Sequence, residues 1–190
     1  MSTSNETQSE FDRRVLSFIS GDALADAKAA LDDYLDNYTG AWFETTADGD
    51  TDRFTANDLV AVTMLGVEVP ARAAHWILTD GADELAALLA SINPASLEIW
   101  DPDADLSPQS SAWQLWRLIK DRHGIGPTIS SKLLAAKRPH LFPINDSVVG
   151  AALGIGKADY WALWQTLLRG VGMSTRTGPT VFTCFGPTCG

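Results

Sequence analysis

The chain has 190 residues, 45% hydrophobic and 20% charged, which indicates a globular protein long enough to bury a core. No apolar run approaches the roughly 18 residues of a membrane span, and residues 1–10 lack the pattern of a secretory signal, so we expect a cytoplasmic protein without a membrane partner. The net charge of −10 disfavours a generic nucleic-acid binder, and two cysteines, Cys184 and Cys189, are too few for a four-cysteine metal or iron–sulfur site. We therefore expect no metal and no other cofactor.

The first half of the chain has the apolar spacing of several helices. Residues 1–10 are polar, and we expect a disordered arm there. From Asp22 to Tyr38 apolar residues recur at helical spacing, which predicts an amphipathic helix with an acidic outer face. Thr55 followed by Asp58 predicts a capping box at the start of a helix that runs to about Leu65. Two further helices are predicted around 73–77 and over 83–92.

The second half of the chain is also predicted to be helical. The spacing and the caps predict helices over 113–122, 127–137, 148–153 and 157–169. Pro127 suits the first position of its helix, because that position needs no backbone N–H donor. No alternating strand pattern occurs, so the sequence predicts an all-α fold. Residues 173–190 are rich in Thr, Gly and Pro, and we expect an irregular tail there.

Charge is distributed unevenly between the two halves. Residues 1–110 contain 5 Lys/Arg and 21 Asp/Glu, whereas residues 111–190 contain 9 Lys/Arg and 3 Asp/Glu. Such an asymmetry indicates either a surface that faces a polyanion or merely a solvated basic face. The length predicts a single helical domain over 11–172, and the charges divide it into an acidic half (11–110) and a basic half (111–172).

The turn Gly124-Ile125-Gly126 is the first candidate for chemistry. Two glycines allow a tight bend with exposed backbone N–H groups, and the dipole of the helix that follows favours an anion at the same place. Ile125 is expected to pin the turn to the core. The alternative is an ordinary glycine cap at the end of a helix.

Basic residues on the flanking segments are expected to add attraction for phosphate that weakens with salt. The residues predicted to bind DNA phosphate are Gly124, Ile125, Gly126, Thr128, Lys132, Lys137 and Arg138.

Asp146 is the second candidate, twenty positions after Gly126. Asp is a preferred N-cap, so its role can be limited to the backbone donors of the next helix. A carboxylate at this position can also stabilise a positively charged sugar or activate water, as carboxylates do in glycoside cleavage. Capping and catalysis are compatible, and both interpretations stay open from the sequence.

These residues carry a resemblance to a known family. Gly124-Ile125-Gly126-Pro127-Thr128, followed by Pro143-Ile144-Asn145-Asp146, resembles the helix-hairpin-helix DNA glycosylase superfamily, in which a Leu-Pro-Gly-Val-Gly type hairpin precedes a catalytic Asp at this distance. The segment 58–65 resembles the family's helix before its DNA-probing loop. Through 132–141 and onward to Asp146, the chain resembles more closely an uncharacterised, mostly actinobacterial family labelled only as a domain of unknown function.

The glycosylase resemblance implies a two-lobed helical fold with a cleft that receives a flipped base. It implies sequence-nonspecific binding of double-stranded DNA, with the backbone of Gly124 and Gly126 holding phosphate and Asp146 as the catalytic acid. Thr128 stands where bifunctional members have a nucleophilic Lys, so the implied enzyme is a monofunctional hydrolase without lyase activity. The alternatives are a non-catalytic helix-hairpin-helix protein that binds DNA or protein, and an interaction protein whose acidic half meets a basic partner.

Overall fold

The computed structural model describes residues 2–47, 49–155 and 160–175, and over these ranges the protein is all-helical, with no strand. This confirms the predicted all-α class. The helices are α1 (Ser2–Phe18), α2 (Ala23–Asn37), a 3₁₀ helix (Thr39–Trp42), α3 (Phe43–Thr46), α4 (Ala56–Met64), α5 (Ala71–Leu78), α6 (Ala82–Ser91), α7 (Ser111–Lys120), α8 (Pro127–Lys137), α9 (Ser147–Leu153) and α10 (Tyr160–Thr175). None of the described helices is long and apolar enough to cross a membrane.

The N-terminus is helical, which corrects the disordered arm expected over residues 1–10. Helix α1 begins at Ser2 and packs against α10. Phe11 is 2% exposed, and its ring meets the edge of Trp164 with 5.2 Å between ring centroids. Gln8 Nε2 donates to the carbonyl oxygen of Leu163 at 3.2 Å. Packing of Phe11, together with the contact of Gln8, therefore accompanies helix formation in a segment whose polar composition alone favours disorder.

A charged cluster on the exposed face of α1 adds local support. Arg13 donates to Glu10 Oε2 at 2.5 Å, and Arg14 Nε donates to Glu10 Oε1 at 2.7 Å. The hydrogen bond from Arg13, followed by that from Arg14, lowers the pKa of Glu10 to about 2. The pairs are exposed, so their effect on folding is small.

Helix α4 begins as the sequence predicts. Thr55 is the N-cap in extended conformation, and the Asp58 carboxylate accepts from the Thr55 backbone N–H at 2.7 Å, which completes the capping box. The helix places Ala61 and Val62, both fully buried, against α8. The cap therefore fixes where α4 starts.

Helix α8 lies at the centre of the core and packs against α4 and α7. Residues 130–135 are all buried, so this helix has no solvated face along its middle. A fully buried Leu contributes about 1.5–3 kcal/mol of transfer free energy, so Leu133 and Leu134 make α8 a major source of stability. Burial of α8 therefore positions the turn that precedes it and the loop that follows it.

Other expectations have mixed outcomes. Helix α10 continues to Thr175, two residues beyond the point where the irregular tail was expected to begin. Residues 176–190, including Cys184 and Cys189, lie outside the described residues. Helix α2 matches the predicted range closely, but it contains no buried residue, so the expected packing of its apolar face is absent from the described fold.

Candidate functional site

The turn between α7 and α8 is tight and is fixed by its central residue. Gly124 has a φ of +82°, a left-handed conformation that side chains other than Gly rarely adopt. Ile125 is 7% exposed, and its N–H donates to the Arg122 carbonyl oxygen at 3.0 Å. Gly126 is the N-cap of α8 and supplies no side-chain cap, so the first backbone N–H groups of α8 are left for water or a ligand.

The loop over residues 66–70, called the 66–70 loop, lies against this turn. A Cβ atom on Gly124 would come within 2.8 Å of Pro70 Cγ, so the Pro70 ring packs against the Gly124 backbone where a side chain would clash. The guanidinium of Arg122 lies over the ring of Trp76, 4.1 Å from its centroid. The 66–70 loop, which follows α4, therefore contacts the Gly124 turn through Pro70.

Lys132 on α8 contacts Leu65, the residue just before the 66–70 loop. Lys132 is 6% exposed, and its Nζ donates to the carbonyl oxygen of Leu65 at 2.8 Å. Burial lowers the pKa of Lys132, while the charge of Asp146 acts in the opposite direction. Lys132 is therefore not a free phosphate ligand on the surface but a buried cation near the candidate carboxylate.

Asp146 caps α9 with one oxygen of its carboxylate. Oδ1 accepts the backbone N–H of Val148 at 2.8 Å and that of Val149 at 3.3 Å. Among the described residues, no hydrogen bond to Oδ2 is formed. The side chain is half-buried, and Val148 beside it is 75% exposed. Capping therefore leaves one carboxylate oxygen for a further partner.

The segment that carries Asp146 is fastened to the core on two sides. The Asn145 backbone N–H donates to Ser131 Oγ on α8 at 2.9 Å. The hydroxyl of Tyr160 on α10 donates to the Ile144 carbonyl oxygen at 2.8 Å, and burial raises the pKa of Tyr160. Ser131 lies four residues after Pro127, about 6 Å along the helix axis, so the acid is held near the first turns of α8.

We call the 124–126 turn, the 66–70 loop, Lys132 and Asp146 together the α8 site. Helix α8 links these parts: it follows the turn, its Lys132 donates to Leu65 beside the loop, and its Ser131 accepts from Asn145 beside Asp146. The roles of Ser131 and Tyr160 in holding it were not predicted, because a lone Ser or Tyr in a helical pattern gives no local signal of its partner. Among the described residues, no group of His, Cys, Asp or Glu could hold a metal ion.

Lys137 is buried, and this corrects the prediction that its side chain binds DNA phosphate. Its Nζ pairs with Asp58 Oδ2 at 2.5 Å and donates to the Asp50 carbonyl oxygen at 2.7 Å. The side chains of Lys137 and Asp58 are both 0% exposed. The ammonium group of Lys137 therefore pairs with the carboxylate of the α4 capping box and does not reach solvent.

Arg138 is also buried, at 1% exposure, and the same correction applies. Its guanidinium pairs with Asp52 Oδ1 at 2.7 Å, donates to the Leu89 carbonyl oxygen at 2.8 Å and also donates to that of Thr51. Buried guanidinium groups need their donors paired in this way. Lys137 and Arg138 thus hold the 50–53 loop and α6 to the end of α8.

Basic side chains do remain beside the turn. Arg117 and His123 are exposed, while Lys120 pairs with Asp121 at 2.7 Å. Arg117 and Arg122 line a groove of about 620 Å³ between α6 and α7, together with Glu84. Asp146 does not line this groove. Thr128, in the first turn of α8, is half-buried.

The chain matches the model of a family described as Family of unknown function (DUF6308) over residues 27–177. It belongs to this family. No curated protein and no solved structure matches the chain. The match to DUF6308 runs from α2 to beyond the end of α10 and includes every residue of the α8 site. It confirms the resemblance to a domain of unknown function.

Proposed function

We propose that this DUF6308 protein binds double-stranded DNA without base specificity, holds a backbone phosphate at the 124–126 turn, and uses Asp146 in hydrolysis of an N-glycosidic bond. The observation that carries the proposal is the divided carboxylate of Asp146: Oδ1 caps α9, and Oδ2 is left without a hydrogen bond from the described residues. The segment with this carboxylate is fastened to the helix whose N-terminus follows the turn.

Phosphate binding at the turn has a simple physical basis. The first N–H groups of α8 have no partner within the helix, and the helix dipole favours an anion there. The left-handed Gly124 brings the turn against Pro70. Arg117 supplies an exposed guanidinium group on α7, and His123 supplies an exposed imidazole beside the turn. Because these contacts are made to the phosphates of the DNA backbone, they carry no preference for a base.

The proposed chemistry needs a base extruded from the duplex, because the bond between sugar and base is otherwise hard to reach. As that bond breaks, the base leaves with the bonding electrons and the sugar becomes cationic. The second carboxylate oxygen of Asp146, Oδ2, stabilises this cation or accepts a proton from the attacking water. Thr128 supplies no amine, and Lys132 Nζ is engaged by Leu65, so the proposal includes no covalent imine and no lyase step.

The binding step is tested by fluorescence anisotropy with a labelled duplex at several salt concentrations. In the Thr128→Glu variant, a carboxylate at the second position of α8 favours the helix but repels phosphate. We expect weaker binding and a salt slope reduced by about 1. Asn57→Glu is the matched control, because Asn57 is exposed at the second position of α4. Equal effects of the two variants would refute the turn as the phosphate site.

The catalytic step is tested on duplexes with damaged or modified bases, with alkali-labile abasic sites as the readout. Asn caps helices as well as Asp does, so Asp146→Asn preserves α9 while removing the charge. We expect base release by the wild-type chain and its loss in this variant, whereas the exposed Asp103→Asn variant stays active. Activity that survives Asp146→Asn would remove the role proposed for this carboxylate.

A non-catalytic module that uses the same turn is the second candidate. It is favoured by the burial of Lys132, Lys137 and Arg138, which leaves fewer cations on the surface than the sequence suggests. Salt-sensitive DNA binding without base release on any duplex would support it. Absence of DNA binding at low salt would refute both DNA-binding candidates.

A further inference from the structure

Helix α2 is a 15-residue helix with no buried residue. Only Ala23 and Ala27 are partly buried, and its main neighbours are α1 and the following 3₁₀ helix. An isolated helix of this length is marginal in water, because most helical stability in proteins comes from packing of an apolar face. Among the residues that the structure describes, the apolar face of α2 therefore lacks the packing that the other helices receive.

The exposed face of α2 is a continuous apolar stripe. Leu24, Leu31, Leu35 and Tyr38 recur at helical spacing, and their exposures are 40%, 36%, 49% and 57%. We call these four residues the α2 stripe. Single exposed apolar residues are ordinary, but a row of four along one face marks an interaction surface.

A row of carboxylates runs beside the α2 stripe. Asp32 and Asp36 are one helical turn apart, and each follows a leucine of the stripe by one residue, about 100° around the helix. Both are exposed, and among the described residues neither forms an ion pair. Any helix that covers the stripe therefore lies next to two carboxylates that have no ion-pair partner among the described residues.

This charge pattern indicates which kind of partner can bind the α2 stripe. A second copy of the chain would bring its own Asp32–Asp36 row to the same interface, and like charges brought together are unfavourable. A membrane with anionic lipids would repel the row for the same reason. A helix with apolar residues on one face and Lys or Arg at its flanks satisfies both the stripe and the carboxylates.

We propose that the α2 stripe binds a basic amphipathic helix of another protein, with its leucines against Leu31 and Leu35 and its cations beside Asp32 and Asp36. The proposal does not rest on the DNA-binding function above. It uses a different surface and a partner of opposite charge.

The test is an anisotropy titration of the full chain with a labelled synthetic helix that carries leucines on one face and lysines on both flanks. The Asp32→Asn/Asp36→Asn variant is expected to bind about tenfold more weakly, since two ion pairs are lost. Asp26→Asn/Asp33→Asn is the matched control: it removes the same charge from the same helix, but Asp33 lies about 200° around from Leu31. Its affinity is expected to stay within about twofold of the wild type.

The apolar part is tested with Leu31→Ser/Leu35→Ser, compared with Val60→Ser, which replaces a 49% exposed residue on α4. Circular dichroism checks that the variants keep their helix content. We expect loss of binding only in the α2 variant, and no binding of a peptide with glutamates in place of the lysines. If both charge variants bind the peptide equally weakly, the attraction comes from the net charge of the chain and not from Asp32 and Asp36, and the proposal is refuted. A dimer in sedimentation velocity that dissociates in Leu31→Ser/Leu35→Ser would refute it as well.

Discussion

The buried pair of Lys137 and Asp58 gives the sharpest prediction about this molecule. Both side chains are 0% exposed, and their charged atoms are 2.5 Å apart. Lys137→Met keeps the length and apolar volume of the side chain but removes the ammonium group. The Asp58 carboxylate would then keep only the donors of Thr55, and its Oδ1 already lacks a hydrogen bond from the described residues. A buried charge left in this state is costly.

Removal of one partner from a buried ion pair costs about 3–5 kcal/mol, and we expect this loss in the free energy of unfolding of Lys137→Met. The double variant Lys137→Met/Asp58→Asn removes both charges while the Asn oxygen still accepts from Thr55, so most of the loss should be recovered. The exposed Lys28→Met variant is the control and should stay within about 0.5 kcal/mol of the wild type.

The measurement is urea unfolding at pH 7, followed by the fluorescence of the seven tryptophans and by circular dichroism. For folded protein, the affinity of Lys137→Met for duplex DNA should equal that of the wild type. A Lys137→Met variant as stable as the wild type, with weakened DNA binding, would refute the buried role. Such a result would favour the phosphate-binding role that the sequence predicts for Lys137.

Three further predictions concern local conformation and ionisation. Gly124→Ala should lower stability by about 1–2 kcal/mol or more because of its left-handed backbone, whereas Gly126→Ala, with open space around the added Cβ, should cost less; equal losses in thermal unfolding would contradict this. Glu10 should titrate near pH 2 by NMR, below its ordinary 4.5, so its stabilisation is present above pH 4.5 and is lost as the pH falls towards 2; a midpoint near 4.5 would contradict the two arginine hydrogen bonds. Burial raises the pKa of Tyr160, so the contribution of its hydroxyl to stability should be complete below the ordinary pKa of Tyr and lost as the pH rises through the pKa in the folded state. In an absorbance titration, Tyr160→Phe should remove the tyrosine that ionises at the highest pH. A Tyr160→Phe variant with an unchanged titration there would contradict the burial of the Tyr160 hydroxyl.

Local signals in the sequence predict much of this fold. The Thr55–Asp58 capping box and the Asp146 cap are both present, and α8 has the predicted bounds of Pro127 and Lys137. These features depend on residues a few positions apart, so periodicity and cap chemistry are sufficient to find them. The same holds for the sharp bend at Gly124.

Contacts between residues far apart in the sequence could not be predicted from such local signals. Lys137 and Arg138 follow an apolar helix and look like a basic surface, yet they have partners up to 87 residues earlier in the chain. No local pattern distinguishes a cation that meets water from one that meets a distant carboxylate. The ordered α1 was missed for the same reason, since the contact between Phe11 and Trp164 joins opposite ends of the chain.

The pairing of late cations with early acceptors also bears on any shortened version of this protein. Lys132, Lys137 and Arg138 find their acceptors at Leu65 and in the segments 50–58 and 89–92. A fragment that starts near residue 111 would lose these acceptors and present three bare cations to solvent. Such a fragment would adhere to any polyanion, including DNA, for reasons that do not exist in the intact chain. Nucleic-acid experiments on the isolated C-terminal half would therefore report an artefact of dissection.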